Sequence, residues 1–286
     1  EVSGYKNVSI ANNVINADDY GMNIYPNSNA ESLISPLSNI SINDNTIKST
    51  SSPCIRISSD LGALSEYKYT GAYITNNKLE RESTTAQASA ITFAGDGFED
   101  VIVNNNSIKG GFFYAYDRTK NSLITFDKGI IISNNTVIHN SDDNRAFIYP
   151  QFNEIPRLSC IDNRVVSNGG LISVNKNASV ISNDMIITGN HVESLDTCVN
   201  TGYGNRHTIT DNTFITTSST VDAVLTNPTE VIYGNNTVVS PRVGRVIRMD
   251  YATMTYDTGG NILPPAGTSG YYGGVTDASG ALTHAP

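Results

Sequence analysis

The octet Val8-Ser9-Ile10-Ala11-Asn12-Asn13-Val14-Ile15 carries the fold in miniature. Val8 and Ile10 stand two apart, the mark of a strand with one buried face. Two asparagines interrupt, and an apolar residue follows at Ile15. The octet reads as strand, sharp corner, strand. It returns as Ile132-Ser133-Asn134-Asn135-Thr136-Val137 and along most of the chain. Aligned on Asn13, Asn45, Asn77, Asn106, Asn135, Asn163, Asn190, Asn212 and Asn236, the intervals are 32, 32, 29, 29, 28, 27, 22 and 24 residues. A tenth, degenerate copy falls at Asn261.

Three residues before each asparagine stand Ile10, Ile42, Ile74, Val103, Ile132, Cys160, Ile187, Ile209 and Tyr233. Two after stand Ile15, Ile47, Leu79, Ile108, Val137, Val165, Val192, Phe214 and Val238. Both sets are nearly all apolar and predict inward positions. The residue just before the aligned asparagine is Asn, Asp or Gly in every copy. Those three types enter left-handed backbone at least cost. The aligned position is always Asn, although a left-handed turn alone would admit Gly or Asp. An amide both donates and accepts, so stacked amides bond along a column. The pattern predicts a buried, mutually satisfied asparagine ladder.

A third strand follows a variable loop in each copy, for example Cys54–Ser58, Ala90–Phe93, Phe112–Tyr116 and Ala146–Tyr149. Three short strands per repeat of about 28 residues, without helical periodicity, predict an all-β parallel β-helix of about nine to ten coils. A propeller blade needs about 40 residues. A β-sandwich has no reason to repeat one corner nine times. Residues 1-257 form the expected β-helix. Residues 258-286, rich in Gly, Thr, Ala and Pro, form an expected extended tail that caps the end or wraps a neighbouring chain.

The chain has 286 residues, 34 of them Asn, and a formal net charge of −9. That balance argues against nucleic acid, which needs a basic face. No apolar run approaches the roughly 20 residues of a membrane span, so no membrane insertion is expected. No leader with a basic start is visible, and the opening in mid-strand reads as a trimmed piece of a longer chain. Cys54 and Cys198 sit five coils apart, about 24 Å by strand spacing, and Cys160 lies on another strand. No disulfide is expected. The N-x-S/T sequons follow from the repeat itself. The four His are scattered without metal-ligand spacing, and no phosphate loop or G-x-S-x-G occurs. No metal or cofactor is expected.

Solenoids bind on loops and exposed strand faces. The loops around the third strand vary most, which makes that face the candidate site. Alternation places Tyr25, Arg56, Thr92, Tyr114, Tyr116, Tyr149, Ser173, Asn200, Arg248 and Asp250 outward. Tyrosines interleaved with Arg and Asn suit sugar rings and hydroxyls. Three acids, Asp60, Asp96 and Asp117, fall at one strand end. Neighbouring coils would hold such carboxyls about 5 Å apart and alternate coils about 10 Å, near the two separations glycosidases use. The opposite rim offers Asp18, Asp19, Glu80, Glu82, Asp142, Asp143, Arg145, Glu193 and Asp196 as an alternative. A lyase would use a base such as Tyr116 or Lys120, with Arg56 or Arg118 neutralising a uronate.

The repeats Val8–Ile15 and Ile132–Val137 resemble the right-handed parallel β-helix of the pectate-lyase-like superfamily, over roughly residues 5–240. The calcium-binding Asp clusters of its pectate lyases are not recognisable. The Asn/Ser/Thr-rich, cysteine-poor, acidic character and the tail are more similar to bacteriophage tailspikes. That resemblance implies a homotrimer on the virion tail, acting outside the bacterial cell. It implies binding, and often depolymerisation, of capsule or O-antigen polysaccharide. The alternatives are a non-catalytic glycan receptor and a structural adhesin stalk. As a depolymerase, the chain would use Asp96, Asp117 and Asp60 in catalysis. Tyr25, Arg56, Tyr114, Tyr116, Tyr149 and Arg118 would hold the substrate.

Overall fold

A computed structural model describes residues 6–25, 38–58, 69–82, 89–94, 98–116, 129–139, 145–151, 154–174, 181–242, 246–249, 254–262, 275–277 and 282–283. Among them there is no helix. The chain is a parallel β-solenoid. One sheet holds nine strands that follow the asparagine corner, from Val14–Ala17 through Thr136–His139 to Thr237–Val239. Each strand pairs in parallel with its equivalent in the next coil. The strands before the corner and the third strands form the remaining sheet structure. Here we call the three strands of a coil pre-corner, post-corner and third.

The registers stack like on like. Ile42, Ile74, Val103, Ile132, Cys160, Ile187, Ile209 and Tyr233 lie opposite one another on successive pre-corner strands. All eight are buried. Ile47, Leu79, Ile108, Val137, Val165, Val192, Phe214 and Val238 form the post-corner column, also buried. Their β-branched and aromatic character suits a pleated, half-buried surface. The inward residues predicted on the third strands (Ile24, Ile55, Ile57, Ile91, Phe93, Phe113, Ile148, Ile172, Val199 and Ile247) are buried too. The three cysteines are free and buried.

The asparagine ladder is present and directional. In each coil the backbone N–H and the side-chain Nδ2 both donate to Oδ1 of the next asparagine, as from Asn106 to Asn135 at 2.9 and 3.0 Å. Nδ2 also donates to the carbonyl two residues back and to a carbonyl of the preceding coil, Ile74 in the case of Asn106. The series runs from Asn13 to Asn261, whose Oδ1 accepts from Asn236. Only an amide meets all these demands. A carboxylate has no donor, and glycine has no side chain. The residue before each ladder asparagine has positive φ, from Asn12 at 59° and Asp44 at 57° to Asn235 at 52°. Gly189 and Gly260 complete the series.

Two further regularities escape the sequence reading. Six residues before the ladder position lies a second left-handed column: Asn7, Asn39, Gly71, Asp100, Gly129, Arg157 and Asp184. Four residues after the ladder, a hydroxyl column turns the chain from post-corner to third strand. Ser49, Ser167, Ser194 and Thr216 each donate their hydroxyl to a backbone carbonyl. The Ser167, Ser194 and Thr216 hydroxyls also accept the N–H two residues on. Arg81 fills that position in its own coil, with its guanidinium donating to the Thr50 and Ser51 carbonyls. Near the end of the chain, Val275–Asp277 pairs in parallel with Met254–Gly259 and antiparallel with Leu282–Thr283.

Candidate functional site

Strand register sets one outward column along the third-strand face. It runs Asn23, Arg56, Thr92, Tyr114 and Tyr149, then Ser173, Asn200, Leu225 and Arg248. Arg56, Tyr114, Tyr149, Ser173 and Arg248 are half-buried. Thr92 and Asn200 point the same way but are covered. Thr92 is bonded to Ser89 at 2.6 Å. Tyr25 does not join the column. Asn23 holds the register position opposite Arg56, and Tyr25 lies one pleat further along, beside a cavity at the first coil.

The column brings two of the expected sugar-binding residues together. The Tyr114 and Tyr149 rings are nearly parallel, 22° apart, with centroids 6.3 Å apart. Phe112 is buried beneath them and meets both edge-on, at 5.6 and 6.3 Å. The Arg145 guanidinium lies over Phe112 at 5.5 Å and over Tyr149 at 5.2 Å. Such stacking holds an arginine against the ring face. The result is a rigid aromatic shelf two neighbouring coils wide. Arg56 makes a separate pair, over the Tyr20 ring at 5.6 Å. It stands two strand spacings from Tyr114, about 10 Å along the rod.

Further along the same column is a groove of about 400 Å³. Its floor is Ser173, Asn200, Leu225 and Arg248, and its wall includes Asp196, Asp222 and Arg242 from the neighbouring corner. Arg242 Nη1 lies 2.7 Å from Asp222 Oδ1, both side chains largely buried. Asp196 Oδ1 accepts the Thr197 N–H at 2.8 Å. Because Val199 pairs with Val224, Asp196 and Asp222 come from successive coils, with Asp222 level with Thr197 and so one residue out of step with Asp196. Asp196 belongs to the rim that the sequence offers as the alternative acid source. Asp222 and Arg242 lie in a stretch where the alignment predicts only a loop.

Asp60, Asp96, Asp117 and Arg118 lie outside the described residues, as does the side chain of Tyr116. Asp142, Asp143, Lys120 and Asp250 are outside them as well. Among the described residues no group of three His, Cys, Asp or Glu side chains comes together. The cysteines are poor nucleophiles, since burial pushes the Cys54 thiol up to about 12 and raises Cys160 and Cys198 as well.

Arg145 keeps its place on the rim, where its carbonyl accepts the Ser167 hydroxyl, but its side chain serves a role the sequence did not show. Its guanidinium reaches over the aromatic shelf. The available signal was the aromatic run Phe112–Tyr116, in which Phe113 enters the core while Phe112 is buried outside it, against Tyr114 and Tyr149. Comparison with protein-family models, with curated proteins and with solved structures finds no match to this chain.

Proposed function

We propose that the third-strand face binds a bacterial surface polysaccharide, a capsule or O-antigen, along the axis of the rod. The observation that carries this reading is the Tyr114–Tyr149 shelf clasped by Arg145, in line with the polar groove at Asn200 and Arg248. Sugar rings present apolar C–H faces that stack on aromatics, and hydroxyl edges that bond to Arg, Asn and Ser. From Tyr114 to Arg248 the column spans five strand spacings, about 24 Å, room for several sugar units. The tailspike-like character of the sequence points to the same ligand class and to host attachment from a virion. The test is a titration of the intact chain with capsular and O-antigen polysaccharides. Wild type is expected to bind one glycan saturably, and Tyr149→Ala to weaken binding at least tenfold with an unchanged melting curve. Equal binding by wild type and variant would remove the shelf from the site.

A second reading adds cleavage. It is favoured by Asp196 and Asp222, two carboxyls that line one groove from adjacent coils, the residue types glycosidases pair. The acids Asp60, Asp96 and Asp117 are the other proposed set. Reducing-end release from the bound glycan distinguishes them. Loss of turnover in Asp196→Asn with binding retained assigns the groove, and loss only in Asp96→Asn or Asp117→Asn assigns the other set. Unchanged polymer length with wild type leaves the binding reading alone.

A further inference from the structure

The outward side of the pre-corner strands carries a pattern that neither the core nor the glycan face requires. Two columns stand there in register. One runs Ser9, Ser41, Tyr73, Ile102, Ile131, Ser159, Ile186, Thr208 and Ile232. The other runs Ala11, Asn43, Thr75, Asn104, Ser133, Ile161, Thr188, Thr210 and Gly234. None of these residues is charged. The outward post-corner face, by contrast, carries Lys48, Lys78, Glu80, Lys109, Arg164 and Glu193. Depletion of charge marks the centre of protein interfaces.

The two columns differ in size. From Tyr73 onward the first is a ridge of mostly large apolar side chains, interrupted at Ser159 and Thr208, with Ile131 40% and Ile186 41% exposed. The second is a trough of small side chains, several already bonded to one another. Asn104 Nδ2 donates to the Ser133 hydroxyl at 2.7 Å, and Thr188 and Thr210 hydroxyls lie 3.1 Å apart. At one level the sizes exchange: Ser159 stands in the ridge and Ile161 in the trough. Large still meets small there.

We propose that this face pairs with a second copy of the same chain about a twofold axis parallel to the rod. Such a rotation sets the ridge of each copy opposite the trough of the other, so one surface serves both partners. It also keeps both rods on the same strand repeat. Ridge and trough therefore mesh from Tyr73 to Ile186 and again at Ile232, and the Ser159–Ile161 exchange is accommodated at its own level. A globular partner has no such repeat to offer. The face measures eight strand spacings by about three residues, about 38 by 10 Å. That is close to 400 Å² per copy, about half of the roughly 800 Å² typical of a stable complex. Association is therefore reversible and concentration-dependent. The twofold differs from the trimer implied by the tailspike resemblance, and the measured mass decides between them.

Sedimentation of the 286-residue chain from about 1 to about 100 µM tests this, a range suited to a weak interface. The expected result is a monomer passing to a dimer. Ile131→Lys combined with Ile186→Lys is expected to hold the chain monomeric throughout, with unchanged circular dichroism and melting. Ile138→Lys, on the post-corner face, is expected to leave the dimer intact. A wild-type monomer at every concentration, a trimer, or a dimer that survives the double substitution would each overturn the proposal.

Discussion

Truncating Asn135 to alanine tests the ladder at a fully buried point. Asn135 Oδ1 accepts the Asn106 backbone N–H at 2.9 Å and Asn106 Nδ2 at 3.0 Å. Its own Nδ2 donates to Val103 O, Ser133 O and Asn163 Oδ1. After truncation, Asn106 Nδ2 keeps the Ile74 and Asn104 carbonyls. Ser133 O keeps the Asn105 N–H. The Asn106 backbone N–H, however, loses its acceptor inside a dry core. An orphaned buried donor costs about 1–3 kcal/mol, and each lost net hydrogen bond about 0.5–1.5 kcal/mol. The sum is about 4 kcal/mol, against a total stability of about 5–15 kcal/mol for a typical domain. Asn13→Ala is the internal control. Asn13 is exposed, donates only to Ala11 O and Asn45 Oδ1, and stands at the end of the ladder. Its truncation is expected to cost about 1 kcal/mol or less. Denaturant unfolding followed by circular dichroism gives both values. Equal losses at the two sites, or a loss below about 1 kcal/mol at Asn135, would refute the argument that the ladder fixes the corner by buried amide pairing.

Other consequences are open to equally direct measurement. Arg157 holds a φ of 51° at an exposed site where equivalent coils use Asn, Asp or Gly, so Arg157→Gly is expected to stabilise by about 0.5–1 kcal/mol in the same assay. Gly110 has a φ of +69°, and a Cβ there would meet the Arg81 carbonyl oxygen at 2.1 Å; Gly110→Ala should cost about 2 kcal/mol or more. With the Cys54 thiol pushed up by burial to about 12, only about one molecule in ten thousand carries that thiolate at pH 8. The native chain should therefore leave a thiol reagent unconsumed, and the denatured chain should consume three equivalents. Arg242→Met removes the 2.7 Å partner of Asp222 and is expected to cost about 1–3 kcal/mol, with loss of any glycan contact made in the groove.

The asparagine corner was legible because its demand is chemically narrow: donor and acceptor at one buried point, left-handed backbone just before it. No other side chain serves, so the residue type itself carries the signal. The hydroxyl corner hides because its demand is loose. Ala17, Arg81, Gly110 and His139 occupy the position in other coils, and no single type recurs. The second left-handed column hides for a similar reason, since Arg157 and Gly129 serve beside Asn and Asp. Period-two alternation located the outward tyrosines, and register then aligned Tyr114 with Tyr149. Tyr25 keeps the outward phase but stands one pleat beyond the column, because the first coil pairs through Asn23. Arg145 and Arg242 reach their places from loops of varying length, where no period applies.

Because every coil meets its neighbours through the same amide contacts, the length of the rod is separable from the quality of its corners. Inserting or deleting one whole repeat, cut between equivalent asparagines, leaves each remaining ladder bond with a partner of the same kind. A lineage can therefore move a given third-strand face nearer to or farther from either end by duplication, without retuning the interior. It can then alter the third-strand loops coil by coil. Variation in surface and constancy of scaffold are assigned to different corners of the same turn.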